Sequence, residues 1–293
     1  MSEVFQQDLN AEPKQGHIFS MQLFMKEQCP TPDESTMTAV LQKHLGTVEN
    51  FSSKEACTTF VAANYHAQYQ DKVVSPFLMI TPCCESKPET IDAFTRSQMW
   101  DCPEHEQILS ECRYQVIATD VLSAALSASE RSEMLMNYLE ALVELYPSCE
   151  AVYFQTSGKM IPADKIRRHN LPPEDRFLMF AVNVRYFRIE GTPDMLVDSL
   201  GMSTLCLPDL QYHFHGLDPN EVVNHAYNML SYILANDCPI KNGDTIDGIE
   251  NGEISMNVQW KCHFEESLIQ PPREVIDICM NAYAAGGREY SEE

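Results

Sequence analysis

TLCLPDLQYHFHGLDPNEVVNHAYNMLSYILAN, residues 204–236, is the stretch that decides the fold class. Residues 209–215 alternate along it. Asp209, Gln211, His213 and His215 share one face of a strand, and Leu210, Tyr212 and Phe214 share the other, because side chains on a strand have a period of two. Gly216 ends the run. Asp218 then stands as an N-cap, Pro219 at the first helical position and Glu221 three residues after the cap, which together spell a capping box. Leu217 and Val222 are placed to form a hydrophobic staple. Val222, Val223, Ala226, Met229, Leu230, Ile233 and Leu234 follow at helical spacing, so one stripe of this helix faces a core.

Working outward, the same grammar recurs. Residues 17–25 (HIFSMQLFM) read as a buried strand, Thr31-Pro32-Asp33-Glu34 opens a helix carrying Met37, Val40, Leu41 and Leu45, and residues 47–51 read as a short strand. Residues 56–63 are ambiguous between strand and helix. Residues 73–81 read as a strand in which Pro76 marks an edge or a bulge. Residues 82–105 read as irregular, with one short helix near 91–99. A second strand, capped helix and strand follow. Tyr114–Val121 is the first strand, Ser127 and Glu130 cap a helix with Leu135, Tyr138, Leu139, Leu142 and Tyr146, and residues 151–155 are the return strand. The two passages point to a structural duplication. Residues 161–175 read as a loop with a basic turn, and residues 177–189 (FLMFAVNVRYFRI) as the strongest strand of the chain. Asn242-Gly243-Asp244 and Asn251-Gly252 signal turns, residues 254–264 a strand with Trp260, and residues 274–279 another short element.

Short strands among three amphipathic helices make an α+β fold with mixed, mainly antiparallel sheets the expected class. The expected organisation is a polar tail over 1–15, an α+β unit over 16–110, a second α+β unit over 111–284 packed with the first, and a polar tail over 285–293.

Composition excludes several functions. The chain has 20 Lys and Arg against 43 Asp and Glu, a formal charge of −23. Binding a phosphate backbone takes clustered bases, and nothing clusters beyond Arg167-Arg168, so no nucleic-acid partner is expected. An acidic surface serves solubility, or it matches a basic protein partner. No apolar run approaches a membrane span, and the N-terminus lacks the pattern of a secretion signal, so no membrane partner is expected. The 11 cysteines are scattered, odd in number and without an export signal, which points to reduced thiols and a cytoplasmic location.

The blocks LCLPDLQYHFHGLDPNEVVNHAYNMLSYIL, GDTIDG, the Trp260 strand and PPREVIDI resemble, over residues 195–278, the bacterial family catalogued as domain of unknown function 4261. The segment before them is similar to the N-terminal part that often accompanies that domain. The resemblance implies an intracellular bacterial protein of α+β type, and it supplies no catalytic residues.

Candidate chemistry is sparse. His213 and His215 stand on one strand face with Asp209, a spacing able to bind zinc or another transition ion, with His225 as a further ligand; otherwise they form a solvent-facing row. Cys102, His105 and Cys112, or Cys83 and Cys84, are a second metal-ligand set, or small buried hydrophobes. No Gly-x-Ser-x-Gly elbow, Walker loop or Gly-x-Gly-x-x-Gly is present. Glu265 and Glu266 are an acid–base pair or a solvated strand end. Trp260, His263 and Phe264, with Glu265 and Glu266 as an acidic rim, are candidate interaction residues, or else core aromatics. The leading expectation is a non-catalytic interaction module, immunity- or inhibitor-like, without a cofactor. A metal-dependent enzyme centred on His213 and His215, or a structural domain of a larger assembly, are the alternatives.

Overall fold

The computed structural model describes residues 19–70 and 72–286. The N-terminal tail, residues 17 and 18 of the first expected strand, and residues 287–293 lie outside the described residues. The chain divides into two compact units that meet in sequence at Val182/Asn183.

The first unit runs β1 (Ser20–Met25), α1 (Glu34–Leu45), β2 (Val48–Lys54), β3 (Cys57–Ala62), β4 (Ala67–Tyr69), β5 (Lys72–Val74), β6 (Phe77–Ile80), β7 (Cys84–Glu85), α2 (Ala93–Arg96), α3 (His105–Glu111), β8 (Tyr114–Val121), α4 (Ala128–Leu145), β9 (Cys149–Phe154), β10 (Lys159–Pro162), α5 (Ala163–Arg167) and α6 (Arg176–Ala181). Its main sheet is antiparallel throughout, in the order β10-β9-β1-β8-β6-β3-β2, with β7 on the end of β8. Both strand–capped helix–strand passages are present, as β1–α1–β2 and β8–α4–β9. Their positions differ: β8 and β9 flank β1, whereas β2 lies at the far edge of the sheet.

The helices start where their caps dictate. Asp33 accepts from the Thr36 amide at 2.9 Å, and Ser127 and Glu130 close a full capping box on α4. Helix α4 packs against α1 and buries Met134, Leu135, Tyr138, Leu139 and Leu142.

Several expectations change here. The boundary foreseen at 110/111 does not separate units, because β8 pairs with β1 in one sheet, Ser20 opposite Thr119. The apolar run from residue 177 is not a single strand. Its first half is α6, where Arg176 reaches Glu140 of α4 at 2.9 Å and Phe177, Leu178 and Phe180 are buried; only its second half, from Asn183, is extended. A short apolar run fits either state, and here packing on α4 decides. Residues 73–81 form two strands, interrupted at Ser75-Pro76, where proline has no amide to donate. Residues 105–111, to which the sequence assigns no element, form α3.

The second unit runs β11 (Asn183–Arg188), β12 (Met195–Leu200), β13 (Asp209–Phe214), α7 (Pro219–Ala235), β14 (Thr245–Glu250), β15 (Glu253–Glu266) and β16 (Glu274–Cys279). Its sheet has the order β11-β12-β13-β16-β15-β14 and is antiparallel except for the β13–β16 pair. The α+β class with mainly antiparallel sheets therefore holds in both units.

Helix α7 lies on β11, β12, β13 and β14 and buries Val222, His225, Ala226, Met229, Leu230, Ile233 and Leu234. His225 takes the core place foreseen for Val223. Asp218 caps the helix as foreseen, accepting from the Asn220 amide at 2.9 Å, but the capping box does not form, and the Glu221 carboxylate lies beside Gly252 instead. The turn between β14 and β15 is Asn251-Gly252 with φ 54° and 83°, the left-handed pair that a two-residue hairpin turn needs. Ala285, foreseen as the start of a polar tail, instead donates its amide to the His213 carbonyl at 3.0 Å and is buried.

Candidate functional site

The two faces of β13 are the place to look for function, because the sequence put chemistry on one of them. On the α7 side, Leu210, Tyr212 and Phe214 are fully buried together with Trp260. His225 completes this face. One ring nitrogen meets the Tyr212 hydroxyl at 3.0 Å and the other the Asp247 carbonyl at 2.8 Å. The carbonyl only accepts, so Nε2 carries the proton and Nδ1 accepts from Tyr212. Burial lowers the His225 pKa and keeps it neutral. It is a satisfied core histidine.

The opposite face is not a solvent-facing row. Asp209 and Gln211 are buried, as are Asp198, Asp277 and Arg185 from the neighbouring strands. Arg185 grips Asp198 through two bonds, Nε to Oδ1 at 2.8 Å and Nη2 to Oδ2 at 2.6 Å. Arg273 Nη2 donates to the same Asp198 Oδ2 at 2.6 Å, and its Nε lies 3.3 Å from Asp209 Oδ2. Asp209 also accepts from the Ser199 hydroxyl at 2.9 Å and the Met202 amide at 3.2 Å. Gln211 donates to Glu265 at 2.9 Å and Asp277 at 3.0 Å, and accepts from the Leu268 amide at 2.7 Å. Arg185 and Arg273 further hold the carbonyls of Gln270, Ile269 and Pro271, each at 3.0 Å. Residues 267–273 are thereby fastened across this face. Burial raises the Asp209 pKa, and the Arg273 charge is the main influence against that rise.

This arrangement uses up the proposed metal set. The Asp209 oxygens face Ser199, Met202 and Arg273, and Asp209 stands four residues along the strand from His213, a span of about 13 Å. His213 lies against Gly286 with Asp194 at 3.9 Å, and His215 is half-buried with its amide bonded to the Tyr283 carbonyl. Among the described residues no group of three or more His, Cys, Asp or Glu is arranged to hold a metal ion. Cys102 and Cys112 sit in an apolar cluster with Phe24, Leu109 and Met160, and burial pushes each thiol up to about 11. His105 turns its Nδ1 to the Cys102 carbonyl at 2.9 Å.

The interaction set is also redistributed. Trp260 offers no surface: it is fully buried against Gly248 and the His225 ring, 5.0 Å between centroids. His263, Phe264 and Glu265 are half-buried and Glu266 is exposed. Glu265 accepts from the Gln211 side chain at 2.9 Å.

An open groove of this unit lies between α7 and the β14–β15 hairpin. Asn228, Met229 and Tyr232 of α7, Ile240, and Asp244, Asp247 and Ile254 line a groove of about 640 Å³. Tyr232 is 47% and Ile254 48% exposed, and Met256 further along the hairpin is 81% exposed. Apolar side chains this exposed, beside two carboxylates and an edge strand, form a surface suited to a partner. Residue-type reasoning passed over it because Tyr232 belongs to no stripe and Ile254 and Met256 look like ordinary strand residues. The interior charges did leave a signal. Arg185, Asp198 and Asp277 are each the one charged residue in a short strand stretch, in NVRYF, MLVDSL and VIDIC.

Residues 198–279 match the family described as domain of unknown function (DUF4261). The matched segment begins at Asp198 and ends on the last residue of β16. It holds Asp209, Arg273 and Asp277 of the charge network, all of α7 and the hairpin, and leaves out Arg185 on β11. Neither a curated protein nor a solved structure matches the chain. No helix among the described residues is long and apolar enough to cross a membrane.

Proposed function

We propose that the protein is a non-catalytic binding module, immunity- or inhibitor-like, whose DUF4261 segment takes a basic protein partner in the groove between α7 and the β14–β15 hairpin. The observation that carries this reading is the pairing of exposed Tyr232 and Ile254 with Asp244 and Asp247 in that groove. The charge balance supports it. The buried bases Arg131, Lys159, Arg185 and Arg273 each meet an acid, so most of the formal excess of −23 is carried at the surface. Such a surface attracts a basic protein and selects it over acidic ones, while the apolar centre supplies the affinity.

The test starts from crosslinked capture in the native host and is completed with the captured partner purified. The reading expects a saturable complex of fixed stoichiometry whose affinity falls as salt is raised. A Tyr232→Ser, Ile254→Ser variant, altered only at exposed positions, should lose at least about tenfold in affinity, since one apolar anchor contributes about 1.4 kcal/mol or more at an interface core. No fixed-stoichiometry complex, or one indifferent to both salt and the double variant, sinks the proposal.

A further inference from the structure

A second chemistry sits in the first unit, in sulfur. Cys29 lies in the connection between β1 and α1, and Cys83 in the connection between β6 and β7. The Cys29 amide points at Cys83 Sγ at 3.5 Å, which brings the two connections together at their cysteines. Cys29 Sγ also donates to Met25 Sδ at 3.3 Å. Both cysteines are half-buried, so small molecules reach them, whereas Cys102, Cys112, Cys149 and Cys262 are enclosed in the core. The geometry points to Cys29 and Cys83 as a reactive dithiol that a hydroperoxide converts to an intramolecular disulfide.

The two sulfurs have different roles. Cys29 is held as a thiol, pushed up to about 12 by burial and by its contact with Cys83. Cys83 Sγ receives the N–H of Cys29 and is the partner not held in this way. Cys83 therefore attacks first. Its thiolate takes the near oxygen of the hydroperoxide, the O–O bond breaks, and the leaving hydroxide or alkoxide picks up a proton. Cys83 becomes a sulfenic acid. Cys29 then gives up its proton and attacks that sulfur; the S–OH bond breaks, water leaves, and the S–S bond forms. Two thiols lose two electrons and one hydroperoxide gains them. A dithiol reductant reverses the step by thiol–disulfide exchange. The product ties the β1–α1 connection to the β6–β7 connection, positions 54 residues apart in sequence.

The test uses the full chain, reduced and then treated with hydrogen peroxide in small excess, alkylated and mapped as peptides. Loss of one thiol pair per chain, recovered as a Cys29–Cys83 crosslinked peptide and reversed by a dithiol reductant, is the expected result. In Cys29→Ser the same dose should leave a dimedone-reactive sulfenic acid at Cys83, and in Cys83→Ser it should leave the Cys29 thiol unmodified. Oxidation should raise the unfolding midpoint of the unsubstituted chain and not that of Cys29→Ser. The inference is overturned if Cys29 and Cys83 survive as thiols while the exposed Cys84 and Cys206 are consumed. It is equally overturned if the oxygen ends on Met25 as sulfoxide or the crosslink joins Cys83 to Cys84. The peptide map of the unsubstituted chain decides even if a variant folds poorly.

Discussion

Replacing Arg273 by Met should be among the most destabilising single changes in the second unit, and the reason is electrostatic. Arg273 contacts Asp198 at 2.6 Å and Asp209 at 3.3 Å, and both carboxylates are fully buried. Asp198 keeps the two-bond grip of Arg185, but Asp209 retains only Ser199 and backbone amides and no positive charge. Removing one partner of a buried pair leaves an uncompensated charge and costs about 3–5 kcal/mol. With an m-value near about 2 kcal/mol/M, the urea midpoint of this unit should drop by about 2 M. Trp260 fluorescence in a Trp100→Phe background reports on this unit alone, because Trp260 is buried in it and Trp100 is an exposed residue of the other. The deficit should depend on pH. Burial already raises the Asp209 pKa, and Arg273 is the main influence holding it down, so the variant raises it further. A group raised in the folded state contributes stability that is complete below its unfolded pKa and is lost as pH rises through the folded one. The Arg273→Met deficit should therefore shrink as pH falls from neutrality toward the ordinary carboxylate range. Adding Asp209→Asn removes the stranded charge and should recover about 1–3 kcal/mol as coupling energy in a double-mutant cycle. A deficit below about 1 kcal/mol, one that does not change with pH, or strict additivity with Asp209→Asn would refute the reasoning.

Other outcomes follow from the same structure. His225 is neutral because burial lowers its pKa, so stability is complete above the ordinary value of 6.5 and declines as pH falls below it. His225→Leu should flatten that decline in urea titrations, while lowering stability at neutral pH because Tyr212 loses its acceptor. Ser127→Ala opens the capping box of α4 and should cost about 1 kcal/mol in the first unit, read by the far-ultraviolet circular dichroism transition. Gly248→Ala would set a methyl 2.7 Å from both the Trp260 ring and Val258, and should cost about 1–3 kcal/mol by overpacking, with a shift in Trp260 emission. Elemental analysis of the untagged protein should find the same metal content in the unsubstituted chain and in a His213→Ala, His215→Ala variant; a stoichiometric difference would return the metal-dependent reading to the front.

Much of the fold was written locally. Caps and stripes placed α1, α4 and α7, and Ser127-x-x-Glu130 and Asn251-Gly252 specify their helix start and hairpin by short-range geometry that no distant residue has to supply. The bounds of β8 were legible because its residues are consistently strand-forming between turn signals. Alternation along residues 209–215 correctly sorted side chains into two faces. What it left open was what covers each face. The cover on Asp209 and Gln211 is residues 267–273, more than fifty positions away, and only the pairing of β13 with β16 brings them together. That pairing turns a row read as metal ligands or solvated polar groups into an internal ion network. The same limit applies to Trp260, read as an interaction residue or a core aromatic and found buried against His225 of α7, and to the helical state of α6, which depends on Arg176 reaching Glu140. It applies to Cys29 and Cys83 as well, unremarkable as a pair until two connections meet. Local sequence determines which residues share a helix stripe or a strand face, because those periods are properties of the backbone. Which face meets water, and which charges and sulfurs become neighbours, depends on strand order, and only the tertiary structure decided that.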